Sequence, residues 1–105
     1  MEAPGIAPEM WRDELGRARF RPSEGFIEYW RDQLQLTPVS DYILQHIETM
    51  LPQPHEGHDL LTCDECNRWA FHVLQERDNL MREIDPNWRR IEAARWVQNR
   101  TEQAR

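Results

Sequence analysis

Both cysteines of this chain and two of its four histidines fall within twelve positions, His55-Glu-Gly-His-Asp-Leu-Leu-Thr-Cys-Asp-Glu-Cys66. No other stretch limits the fold as much. Two imidazoles and a Cys-x-x-Cys pair are the donor set of a tetrahedral Cys2His2 zinc site, and closing such a site requires a loop that folds back over the start of a helix. The spacing predicts this arrangement. Pro52, Pro54 and Gly57 keep the histidine segment out of a helix. Thr62, followed three residues later by Glu65, reads as a capping box that opens one. Cys63 and Cys66 then lie on the first helical turn, where the helix N-terminus favours thiolates. The metal ligands expected are His55, His58, Cys63 and Cys66, and the metal is Zn2+.

The other histidines are weighed by position. His72 is six helical steps from Cys66, a net rotation of about 240°, so it points away from the ligand face. His46 lies on the apolar stripe of an earlier helix and is expected to be packed there, as a reserve ligand only. His55-Glu56-Gly57-His58 is one residue short of the His-Glu-x-x-His metalloprotease motif and has a glycine where that motif needs a helix. A thiol oxidoreductase remains an alternative for the Cys-x-x-Cys pair, although such enzymes place it after a strand and no strand pattern precedes Thr62. The unoxidised, metal-free pair is the remaining alternative.

The pattern around this loop is helical. Met10, Trp11, Leu15 and Ala18 suggest a first helix ending near Phe20. Ser23 reads as the N-cap of a second, with Phe26, Ile27, Trp30 and Leu34 on one face. Thr37-Pro38 opens a third, whose stripe Val39, Tyr42, Ile43, His46, Ile47, Met50 and Leu51 is the most regular in the chain. Trp69, Ala70, Val73, Leu74, Leu80, Met81 and Ile84 continue the helix begun at Thr62. Asp85-Pro86 opens a last one with Trp88, Ile91 and Ala94 inward. The expected fold is therefore all-α: a single domain over residues 1–105, built as a small bundle of about five helices, with residues 1–8 a flexible lead-in and 100–105 a frayed tail.

The 105 residues, 39% of them hydrophobic, suit one soluble core. No apolar run reaches the roughly eighteen residues of a membrane span, and the first residues lack the basic and apolar regions of a secretory signal. A cytoplasmic location with reduced cysteines is expected, which favours metal ligation over a disulfide. All thirteen basic residues are arginine, which a GC-rich coding bias explains as well as selection does. Their distribution is uneven: residues 32–66 carry seven acids and no arginine, and residues 86–105 carry five arginines and two acids.

That basic end holds Trp88, Arg89, Arg90, Arg95 and Trp96, the residue types most enriched at interface hot spots, and these five are the expected partner-binding residues. The partner expected is another protein or assembly. Nucleic acid is the alternative, through arginine–phosphate contacts and stacking on the tryptophans. The motif His58-Asp-Leu-Leu-Thr-Cys63-Asp-Glu-Cys66 resembles the histidine–cysteine–cysteine signature of the zinc-containing anti-sigma factors. It has four residues rather than three between histidine and first cysteine, and it lacks the upstream cysteine of some members. The resemblance implies a small zinc-stapled helical inhibitor that clasps another protein. The expected function is a zinc-stabilised helical interaction module with no catalytic activity of its own.

Overall fold

The computed structural model describes residues 6–103. Four helices follow a two-stranded hairpin: β1 (Glu9–Arg12), β2 (Ala18–Arg21), α1 (Phe26–Gln33), α2 (Val39–Met50), α3 (Asp64–Ile84) and α4 (Trp88–Gln103). The fold is mostly helical but not all-α, and the helices among the described residues number four, not five.

The segment expected to be the first helix is the hairpin. β1 and β2 pair antiparallel with Met10 opposite Phe20 and Arg12 opposite Ala18. Asp13 makes the turn. Its carboxylate accepts hydrogen bonds from the amides of Leu15 and Arg17 at 3.0 and 2.9 Å and an ion pair from Arg17 Nε at 2.9 Å. Gly16 supplies the positive φ of 77° that the turn needs. The Arg17 amide first, then the Arg17 guanidinium and the Leu15 amide, hold the Asp13 carboxyl below its ordinary value against some desolvation. Because the folded value is lowered, this support is present above the ordinary carboxyl range and is lost as pH falls. β2 shows the two-residue period of a strand: Ala18 and Phe20 are buried, while Arg21 is exposed. Of the apolar residues expected inward near the start of the chain, Ala18 is buried, but Met10, Trp11 and Leu15 are exposed, Trp11 at 42% and Leu15 at 77%.

The rest of the core follows the amphipathic pattern. Phe26, Trp30 and Leu34 of the α1 region, Val39, Ile43 and Ile47 of α2, and Val73, Leu80, Met81 and Ile84 of α3 form one buried cluster that Ala18, Phe20 and Trp88 complete. A hairpin alone is marginal in water, and Glu76 of α3 fastens this one. Its Oε1 accepts from the Phe20 amide at 3.0 Å and Arg19 Nε at 3.1 Å, and its Oε2 from Asn79 at 3.2 Å. The lead-in is also held where it is described. Trp30 Nε1 donates to the Ile6 carbonyl and Ser23 Oγ to the Ala7 carbonyl, and Pro8 is buried. Ser23 therefore does not cap α1, which starts after Gly25.

None of α1, α2 and α3 carries a side-chain hydrogen bond from its own N-cap. Other elements fill part of that role. Glu92 of α4 accepts from the Ser40 amide at 2.9 Å and the Ser40 hydroxyl at 2.7 Å, placing a carboxylate on the first turn of α2. Trp69 Nε1 donates to the Leu51 carbonyl at the C-cap of α2, and Arg31 Nε donates to the Ile84 carbonyl at the end of α3. Replacing Glu92 by glutamine should lower stability by about 1 kcal/mol, read as a lower urea midpoint at unchanged slope.

α4 joins the core through its first turns. Trp88 is buried and Ile91 packs against the core, but Trp96 and Val97 are 57% and 55% exposed. The helix extends to Gln103, so residues 100–103 of the expected frayed tail are helical. Residues 1–5 and 104–105 of the expected lead-in and tail lie outside the described residues. The radius of gyration is 15.4 Å, above the roughly 13 Å of a compact domain of this length. Among the described residues no helix is long and apolar enough to cross a membrane.

Candidate metal centre

The loop between α2 and α3 forms from two successive turns. In the first, His55 to His58, the His58 amide donates to the His55 carbonyl at 3.1 Å and Gly57 holds φ at 86°. In the second, Asp59 gathers the chain: its carboxylate accepts from the Leu61 amide at 2.8 Å, and its carbonyl from the Thr62 and Cys63 amides at 3.2 and 3.0 Å. Gln53, held between two prolines, joins the turns to the helix end. Its amide nitrogen donates to the carbonyls of His55 and His58 at 3.1 and 3.0 Å. Asn67 on α3 donates to the Leu60 carbonyl at 3.2 Å.

The turn at Asp59 moves the helix start by one residue. The Thr62 hydroxyl donates to the Asp59 carbonyl at 3.4 Å, no capping box forms, and Cys63 in extended backbone is the N-cap of α3. Cys63 and Cys66 thus take the N-cap and third helical positions, which the side chains of a capping box would bridge. Each still faces the loop.

All four expected ligands come together. One donor atom from each of His55, His58, Cys63 and Cys66 lies within 4.8 Å of the other three. His55 Nδ1 is 3.3 Å from Cys63 Sγ, the His55 and His58 rings are 5.0 Å apart, and Cys66 Sγ is 3.5 Å from the His55 carbonyl. Cys66 is buried, Cys63 and His55 are half-buried and His58 is exposed. A tetrahedral zinc with bonds of ~2.0–2.3 Å sets its ligand atoms about 3.3–3.8 Å apart. The set needs to contract by about an ångström at its widest, which the exposed His58 can supply. Burial pushes the Cys66 thiol up, but the Gln53 amide, the His55 backbone and the Cys63 thiol outweigh it and leave the thiol below its ordinary value. The thiolate that a metal requires is thereby favoured.

The excluded histidines lie elsewhere. His72 Nε2 donates to the Ala18 carbonyl under the hairpin, and His46 stands edge-on to Trp30 at 6.2 Å. Neither belongs to the ligand group. Glu65 was assigned to a cap and has another place: its carboxylate lies 3.4 Å from His55 Nε2. With Nδ1 turned to the thiols, His55 presents its second nitrogen to a carboxylate, the outer-shell pairing that fixes the tautomer of a metal-bound imidazole. The signal was present in the sequence only as Glu65 standing between the cysteines. Glu65→Gln should weaken metal binding by about tenfold, measured by competition with a chromogenic chelator.

Of the expected partner-binding residues, Trp88 is core. It is 6% exposed, with the guanidinium carbons of Arg77 and Arg89 at 5.7 and 4.7 Å from its ring centre. Arg89 is paired with Asp78 at 2.7 Å, and Arg95 is half-buried with its Nε enclosed. Arg90 and Trp96 are exposed. Comparison with family models, with curated proteins and with solved structures finds no match to this chain.

Proposed function

We propose that the chain is a zinc-stapled interaction module whose partner surface is the second half of α4. One observation carries this reading: the second half of α4 presents Trp96 and Val97, each more than half exposed, with the Arg100 guanidinium 4.9 Å from the Trp96 ring centre. An exposed tryptophan covered by arginine on a helix has the composition of an interface hot spot. The zinc has a structural part, held by His55, His58, Cys63 and Cys66. With four protein ligands in place, no coordination position is left for water, so the metal fixes the loop and performs no chemistry.

Two other readings are less well supported. For nucleic acid, Arg89 is already held by Asp78 and Arg95 is half-buried, which leaves Arg90 and Arg100 as exposed α4 arginines among the described residues. For thiol oxidoreduction, the Cys-x-x-Cys pair follows a loop of two turns rather than a strand, and Cys66 is fully buried.

The test is gentle purification of the chain from its own cells, wild type against Trp96→Ala. A stoichiometric protein that accompanies the wild type and is lost from the variant, with the melting curve unchanged, supports the reading. A wild-type chain that elutes as a bare monomer by light scattering counts against it.

A further inference from the structure

A shallow, widely open cavity of about 450 Å3 lies between the hairpin, the end of α2 and the first turns of α3. Its size falls in the range of small-molecule sites, about 300–1,000 Å3. Leu51, Pro54 and Trp69 form an apolar wall, and Arg12, Arg17 and Arg68 line it as well, largely through their aliphatic stems. The chain as a whole carries a net charge of -6, so this local excess of positive charge runs against the general balance.

The partners of those groups decide what the cavity can accept. Arg17 is neutralised by Asp13 at 2.9 Å. Arg12 donates to the Gly16 carbonyl at 3.0 Å, an uncharged acceptor. Arg68 has no carboxylate partner among the described residues, although Asp64 stands four positions before it on α3, a favourable spacing for a helical ion pair. The one carboxylate in the lining, Glu65, faces His55 Nε2 at 3.4 Å. Arg12 and Arg68 thus both line the cavity without a carboxylate partner among the described residues.

We infer that this cavity binds a small organic anion with a flat apolar body, of the aromatic carboxylate type. The carboxylate meets Arg68 and Arg12, which offer planar paired donors, and the ring lies against Trp69, Leu51 and Pro54. A polyanion such as a nucleoside triphosphate is disfavoured because Glu65 lines the same cavity. None of the four candidate metal ligands lines the cavity, and its only link to that site is Glu65, which lines it and lies 3.4 Å from His55 Nε2.

The experiment is a titration of the isotope-labelled full chain with 2-naphthoate and, separately, with its neutral counterpart 2-naphthamide, followed by amide and indole chemical shifts. The indole N–H of Trp69, bonded to the Leu51 carbonyl at 2.8 Å, is a resolved reporter at the wall of the cavity. The expected result is saturable shifts at Trp69, Ala18 and Arg68, with the acid binding at least about tenfold more tightly than the amide. Arg68→Gln, a change at an exposed residue, should remove most of that preference while leaving the amide's affinity unaltered, and Arg12→Gln should reduce it similarly. Equal binding of acid and amide, saturable shifts centred on another surface, or the absence of any saturable shift would each overturn the inference.

Discussion

Cys66→Ser is expected to yield a protein that no longer retains zinc and melts about 10–20 °C below the loaded wild type. The magnitude follows from linkage. A metal held about a hundredfold above its dissociation constant stabilises the folded state by roughly 3 kcal/mol, and each kilocalorie is about 4–8 °C for a domain near this size. Cys66 is the most buried of the four ligands, at 0% exposure, so serine there also leaves a hydroxyl facing the loop turns with no metal to bind. The variant alone does not separate ligand loss from packing loss. Chelator does: wild type treated with it should fall toward the variant's melting temperature, and the variant should not respond. Native mass spectrometry gives the stoichiometry, one zinc per chain. If the wild type carries no metal, keeps both thiols reduced and melts identically with and without chelator, the metal reading is wrong.

The second large effect is at Glu76. Its carboxylate is 4% exposed and accepts the Phe20 amide, the Arg19 guanidinium and the Asn79 amide. Glu76→Ala leaves a buried backbone N–H without an acceptor and removes one polar attachment between hairpin and α3, the His72–Ala18 hydrogen bond remaining, which should cost about 3 kcal/mol. Arg19 is partly exposed, so its share is screened and most of the loss belongs to the Phe20 amide. Arg19→Ala should accordingly be much milder than Glu76→Ala, as a pair of denaturant curves will show. Equal losses from the two would mean that the ion pair, and not the buried amide, holds the hairpin.

The comparison of sequence with structure separates along physical lines. α2 was legible to within one residue of its start, with Pro38 and not Thr37 as its N-cap, because Val39, Ile43 and Ile47 of its stripe are buried, although Tyr42 is exposed. That His55, His58, Cys63 and Cys66 gather at one place was legible, because a loop with Pro52, Pro54 and Gly57 can fold its histidines back over cysteines at a helix start. The hairpin was not, because β1 is exposed throughout and shows no alternation, while the turn rests on Asp13 and Gly16, two residues that also occur in frayed helices. Thr62 was misassigned for a similar reason: the capping pattern was present, but Asp59 competed for the same backbone groups and won. Glu92, Trp69 and Arg31 carry no local signal at all, since each serves a backbone group on a different element.

Those three contacts bear on how the molecule opens. A helix capped by its own sequence can fray or persist independently of its neighbours. Here α2 receives its carboxylate from α4 and its terminal donor from α3, and the end of α3 is held by α1. Detaching α1, α3 or α4 exposes an end of another helix. Amide hydrogen exchange should therefore show α2 and α3 opening together at close to the global free energy, with the second half of α4, which caps no other helix, exchanging far sooner, so that its movement costs the core least.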